Sequence, residues 1–268
     1  MGPVVYRFDQ ASQPTQSSSN IQGMNKNKLP DKSSARDIDA FLDKVGNTAM
    51  RKQTVSAGRL VFAMDATASR EPTWDHACHL QAQMFESGAS LGGLAIQLCY
   101  YRSLNEFHYS PWHHNARTLL TEMNAVRCLA GHTQIERVLQ HALANLPLNA
   151  VVFIGDAMEE DASRLRRLAG ELGLKGMPVF IFHEGHDAIA RRTFEDIARL
   201  SHGACCPFDI NSPEQLRHLL GAVAIFASGG YEALLDYTSN QDGAAHSSGQ
   251  ALLQQLSAPT TARQPDKP

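Results

Sequence analysis

The chain has 268 residues, 43% of them hydrophobic, with 24 Lys and Arg against 27 Asp and Glu, for a formal charge of -3. That is enough for one sizeable core with room for tails, without the basic excess of a nucleic-acid binder or a membrane-surface signature. No apolar run reaches the length that spans a bilayer, the first residues do not read as a signal peptide, and five scattered cysteines (Cys78, Cys99, Cys128, Cys205, Cys206) suit reduced thiols in the cytoplasm.

Residues 1–33 are rich in Ser, Gln, Asn and Lys and carry no apolar period, so they read as a disordered arm in which Met24 is an alternative start. Residues 34–56 read as an N-terminal helix and linker, with Ser33 or Ser34 as cap and Ile38, Phe41, Leu42, Val45 and Ala49 as the stripe. Leu60–Met64 is short and wholly apolar, the pattern of a buried strand. Pro72 and the spacing of Trp74, Ala77, Gln81, Met84 and Phe85 predict a helix to about Gly88. Leu91–Tyr101 contains the next strand, and Asn105–Ser110 alternates like an edge strand. Trp112, His113 and His114 read as an exposed loop. Leu119, Leu120, Met123 and Val126 predict a helix. Ile135, Val138, Leu139, Ala142, Leu143 and Leu146 fit the helical template throughout, ending at Pro147.

Ala150–Ile154 is another buried strand, stopping at Gly155-Asp156. A helix through Leu165, Leu168, Ala169 and Leu172 is expected to end at Gly173. Pro178–Phe182 is a strand, and 188–202 a helix with Gly203 as its C′ residue. Ser212-Pro213-Glu214 is a helix start leading through Leu216, Leu219, Leu220, Val223 and Ala227. A helical extension over 229–238 and a disordered tail over 239–268 follow. Alternation of strands and helices over 57–228 predicts one α/β domain, Rossmann-like and doubly wound, with a mostly parallel central sheet and helices on both faces.

The chemistry gathers at strand ends. Asp65, Thr67 and Ser69 follow the Leu60–Met64 strand at alternate positions and offer a carboxylate and two hydroxyls. Such oxygen donors suit a hard cation such as Mg²⁺. The same residues also read as ordinary turn and cap residues. Thr133 lies in a glycine-containing loop before a helix, and with Glu136 it also matches a capping box. Asp156 follows its own buried strand. If that strand neighbours the one ending at Asp65, both aspartates share one rim, where open α/β sheets bind ligands. Glu159, Glu160 and Asp161 read as a solvated acidic loop and helix N-terminus. His76, Cys78 and His79 lack further zinc ligands at fitting positions. There is neither a G-x-S-x-G elbow nor a phosphate-binding G-x-x-x-x-G-K-[ST] loop.

The set Asp65-Ala-Thr67-Ala-Ser69, then Gly131-His-Thr133, then Gly155-Asp156 resembles the metal-ion-dependent adhesion site (MIDAS) of the von Willebrand factor type A (VWA) family, and the element order over 57–228 is similar to a VWA domain. Thr67 stands where serine is commoner and Ala68 where glycine is usual. Arg70 and Glu71 follow where many members have small or apolar residues. The resemblance implies that Asp65, Thr67, Ser69, Thr133 and Asp156 hold Mg²⁺ (or Mn²⁺ or Ca²⁺), directly or through water. It further implies that a partner's Asp or Glu fills the open position, making the chain a binding module and not an enzyme. By analogy with bacterial, cytoplasmic members, an AAA+ ATPase or other cytoplasmic assembly is an expected partner, with no role for nucleic acid or membrane. Two alternatives stand beside this: a metal-dependent hydrolase or phosphotransferase on the same sheet, and a VWA-like scaffold with a vestigial metal site.

Overall fold

The computed structural model describes residues 57–209, 211 and 213–256; the expected arm at 1–33, the helix and linker at 34–56 and the final residues of the tail lie outside the described residues. Six strands, β1 (Gly58–Asp65), β2 (Leu94–Arg102), β3 (Glu106–His113), β4 (Ala150–Gly155), β5 (Val179–Glu184) and β6 (Ala204–Phe208), form one sheet in the order β3-β2-β1-β4-β5-β6. Only β3 runs antiparallel to its neighbour.

The apolar run in β1 is unbroken because both faces of the strand are covered. Leu60, Phe62 and Met64 enter one core; Val61 and Ala63 enter the other. The first core is closed by α1 (Glu71–Gly88), α2 (Ala116–Ala125), α6 (Pro213–Ser239) and α7 (Gly243–Leu253). The second is closed by α3 (Ile135–Ala144), α4 (Ala162–Leu174) and α5 (Ala188–Leu200). The connection after β1 therefore runs over one face and those after β4 and β5 over the other. Between β1 and β4 the winding reverses, which leaves a crevice at their carboxyl ends.

Several local expectations are corrected by packing. The strand β6, with sequence ACCPF, escapes sequence patterning because Pro207 lacks an N–H and the run is short. Proline is tolerated there because β6 is an edge strand. The Gln255 side chain closes that edge: it accepts from Cys205 N at 2.8 Å and donates to Cys205 O at 3.1 Å. Trp112 and His113 belong to β3 and not to a loop; Trp112 lies 4.2 Å beneath the Arg59 guanidinium and His113 is buried.

Residues 243–253, expected in a disordered tail, form α7. Its small residues show no clear stripe, but Leu252 and Leu256 are buried in the first core and Gly249 packs directly on Thr238. The α4 helix continues past Gly173, which is held by close approach to Leu200 O; the left-handed residue that follows is Gly176, at φ 69°. At the end of α5 the left-handed residue is His202, at φ 61°, one position before Gly203. The α6 helix is long and apolar enough, by length and composition, to cross a membrane, contrary to the sequence reading. Its Leu216, Leu219, Leu220, Val223 and Ala227 are spent on the first core, and it kinks at Gly230.

Candidate metal centre

The register pairs Met64 of β1 with Ile154 of β4, so Asp65 and Asp156 leave adjacent strands at the same rim. Asp65 is 2% exposed. Its Oδ1 accepts from Thr67 N at 2.7 Å, an Asx turn that fixes the carboxylate. Thr67 is extended and the chain then turns through a short 3₁₀ segment, Ala68–Arg70. Ala68 does not have a positive φ, so the turn does not need glycine at that position. The Thr67 and Ser69 hydroxyls face each other at 3.4 Å.

Burial pushes the Asp65 carboxyl up to about 6; the Thr67 N–H acts in the opposite direction, and the nearby Asp156 charge adds to the rise. Tyr101 lies opposite Asp65 in the sheet register. Burial, and next the Asp65 charge, keep its phenol protonated.

Thr133 is brought to this rim by backbone bonds that tie its loop to the β2–β3 turn, including His132 N to Ser103 O at 3.2 Å. It does not form a capping box with Glu136. Instead Thr133 N donates to Glu159 Oε2 at 3.1 Å, and Glu159 N donates to Thr133 Oγ1 at 2.9 Å. Glu160 Oε1 accepts from Glu136 N at 2.7 Å and so serves the N-terminus of α3 from a neighbouring loop. Asp161 caps α4 through Ser163 N and Arg164 N. The three acids after Asp156 are thus bonded to the framework, not simply solvated.

Two further residues belong to the site. Arg70 folds inward and is buried; its Nη2 lies 3.2 Å from Asp156 Oδ2 and its Nη1 lies 2.6 Å from Glu184 Oε2. Thr73 Oγ1 donates to the same Glu184 oxygen. The motif reading treats Arg70 as a departure that removes no ligand; the structure shows it paired with Asp156. Glu184 carries the signal that marks Asp65, an ionisable residue ending a buried strand, and was legible on that ground. Cys78 is buried and His79 exposed, and among the described residues His76, Cys78 and His79 belong to no cluster of three or more His, Cys, Asp or Glu side chains placed to hold a metal.

Among the described residues, Tyr101 Oη, Glu160 Oε2 and Arg70 Nε are buried without a hydrogen-bond partner. Asp65, Thr67 and Ser69 offer one carboxylate and two hydroxyls at the rim. That oxygen set, with Tyr101 Oη left unpaired opposite Asp65, fits a hard divalent cation.

No family model and no curated protein sequence matches the chain. Solved structures do match. The chain is similar to a von Willebrand factor type A protein from Catenulispora acidiphila, with 12% identity and a TM-score of 0.50 over 63% of this chain and 43% of that one. It is also similar to proximal thread matrix protein 1 from the mussel byssus, with 11% identity and a TM-score of 0.51 over 63% and 47%. A third match is the vWF domain of the type V pili tip protein Mfa5 from Porphyromonas gingivalis, with 10% identity and a TM-score of 0.50 over 70% and 97%. The chain spans less than half the length of the first two. The α/β sheet flanked by helices is a VWA fold.

Proposed function

We propose that this VWA domain is a divalent-cation-dependent protein-binding module. Asp65, Thr67 and Ser69, with Thr133 and Asp156 from the neighbouring loops, would hold Mg²⁺, or Mn²⁺ or Ca²⁺ in its place. When bound, such a cation supplies positive charge and an open position for an anionic oxygen. Asp65 contributes a buried carboxylate whose orientation Thr67 N–H fixes. Thr67 and Ser69 contribute neutral hydroxyls at the accessible lip of the crevice. Neutral donors leave cation charge uncompensated, so the fitting partner is a protein that presents Asp or Glu.

The observation that carries this reading is the pair of hydroxyls 3.4 Å apart beside a buried carboxylate at the β1–β4 crevice. A hydrolase would need a free base or nucleophile beside the cation. Asp65 is engaged by Thr67 N–H and Asp156 by Arg70. Buried, unpaired cysteines support a reducing compartment such as the cytoplasm.

The test is a thermal melt after chelation, with each cation added back, for wild type and Asp65→Ala. A ligand at one hundred times its dissociation constant stabilises the folded state by about 2.7 kcal/mol. A rise in midpoint that disappears in Asp65→Ala supports the assignment; an equal rise in both proteins places the cation elsewhere. One observation favours a second reading, a scaffold that needs no cation: the Arg70 guanidinium already supplies positive charge to Asp156.

A further inference from the structure

We propose that Arg70 is a tethered counter-cation that competes with the divalent ion for Asp156 and thereby sets the affinity of the site, with Glu184 as the residue that keeps Arg70 in place when Asp156 is released. This rests on the metal-binding reading above. The two ends of the arginine fork are not equivalent. Nη1 lies 2.6 Å from Glu184, a carboxylate that also accepts from Thr73; Nη2 lies 3.2 Å from Asp156. The Glu184 side chain is 10% exposed, against 27% for Asp156. Glu184 is therefore the fixed end of the pair, and Asp156 the end that faces the crevice.

Arg70 enters from the proposed ligand segment itself, directly after Ser69 in the 3₁₀ turn. A guanidinium on Asp156 and a divalent ion beside Asp65 repel each other and draw on the same negative charge. When Asp156 turns to the cation, Arg70 retains Glu184, so no buried charge is left unpaired. Glu184 is thus a positioning residue that keeps the exchange from costing a full buried ion pair.

The experiment is calorimetric titration of the chelator-treated full chain with Mg²⁺ and with Mn²⁺, for wild type, Arg70→Met, Glu184→Gln and Asp65→Ala. Arg70→Met is expected to bind about tenfold tighter or more, the scale on which one close charge alters a carboxylate's occupancy. Glu184→Gln is expected to bind more weakly than wild type, because Arg70 then has Asp156 as its only charged partner. Asp65→Ala is expected to lose binding. Cation binding by Arg70→Met alone supports the proposal in its strongest form. Equal or weaker binding by folded Arg70→Met, with loss in Asp65→Ala, overturns the counter-cation role and leaves the metal reading standing. Absence of binding in both wild type and Arg70→Met overturns both. Should Arg70→Met fail to give a cooperative melt, Glu184→Gln decides: unchanged or tighter binding overturns the proposal.

Discussion

Thr133 and Glu159 bond each other twice, Thr133 N to the Glu159 carboxylate at 3.1 Å and Glu159 N to the Thr133 hydroxyl at 2.9 Å. The pair has the reciprocity of a capping box, but its two halves come from different loops. It joins the loop before α3 to the loop after β4, and so holds Thr133 and Asp156 at one rim. Thr133→Ala removes the acceptor for Glu159 N–H and is expected to cost about 1 kcal/mol, read as a lower urea midpoint at unchanged slope. Thr133→Ser keeps the hydroxyl and is expected to retain most of that stability. Equal loss in both variants would show that the methyl group, not the hydrogen bond, holds the loop.

Asp65 is a buried carboxylate that accepts from Thr67 N–H and, among the described residues, has no cation partner. Without a divalent ion such a charge is costly. Asp65→Asn keeps an oxygen for the Thr67 N–H and removes the charge. In chelator it is expected to melt higher than wild type, by the equivalent of about 1 kcal/mol; in saturating Mg²⁺ the order is expected to reverse. Differential scanning calorimetry in the two buffers reads both signs, and a variant that melts lower in chelator would refute the charge argument.

His141 gives the fold an acid sensitivity away from the candidate site. Gln97 Nε2 donates to Ser110 O at 2.9 Å, so Gln97 Oε1 faces His141 Nε2 as an acceptor at 2.8 Å. Asn145 Nδ2 donates to His141 O at 2.8 Å and lies 3.3 Å from both ring nitrogens. The Gln97 bond places a proton on His141 Nε2, and burial lowers the His141 pKa from the ordinary 6.5. His113, His183 and His218 are lowered by burial as well. The unfolded chain therefore takes up protons first as pH falls below 6.5, so this contribution is full above that value and is lost on acidification through the folded pKa. In Asp65→Asn, which removes the opposing contribution of a carboxyl pushed up to about 6, urea midpoints should fall from pH 7 to pH 5, about the range over which histidine titrates. Proton NMR should show His141 titrating below the free-histidine value; titration at or above it would remove the argument.

Gly131 sets the position of the Thr133 loop by close approach. A Cβ there would meet Ser103 O at 2.0 Å, a backbone atom that cannot rotate away. Gly131→Ala is expected to cost about 1–3 kcal/mol and to weaken any cation response, because the displaced loop carries Thr133. Gly170 lies within α4 and a Cβ there meets nothing within 4 Å. Gly170→Ala is expected to stabilise by about 0.5–1 kcal/mol without changing the cation response. Chemical denaturation of the two variants with and without Mg²⁺ separates the effects.

The sequence by itself determined the α/β class, the buried strands ending at Asp65 and Asp156, and most of the helices. Each of these is a local signal: an apolar run, a 3.6-residue period, or a proline or capping residue at an end. The β6 strand and the α7 helix were not legible. ACCPF is short and contains proline, and residues 243–253 are mostly small and polar; both are held by what they pack against, the Gln255 amide and the Thr238 side chain of α6. The tertiary structure alone decided which charges meet. Arg70 and Glu184 are 114 residues apart, yet they form a buried pair 2.6 Å long. Thr133 finds Glu159 and not Glu136, its expected capping partner. Side-chain periodicity reports which face of an element is buried, whereas pairing between loops depends on strand order, and only the folded sheet fixes that order.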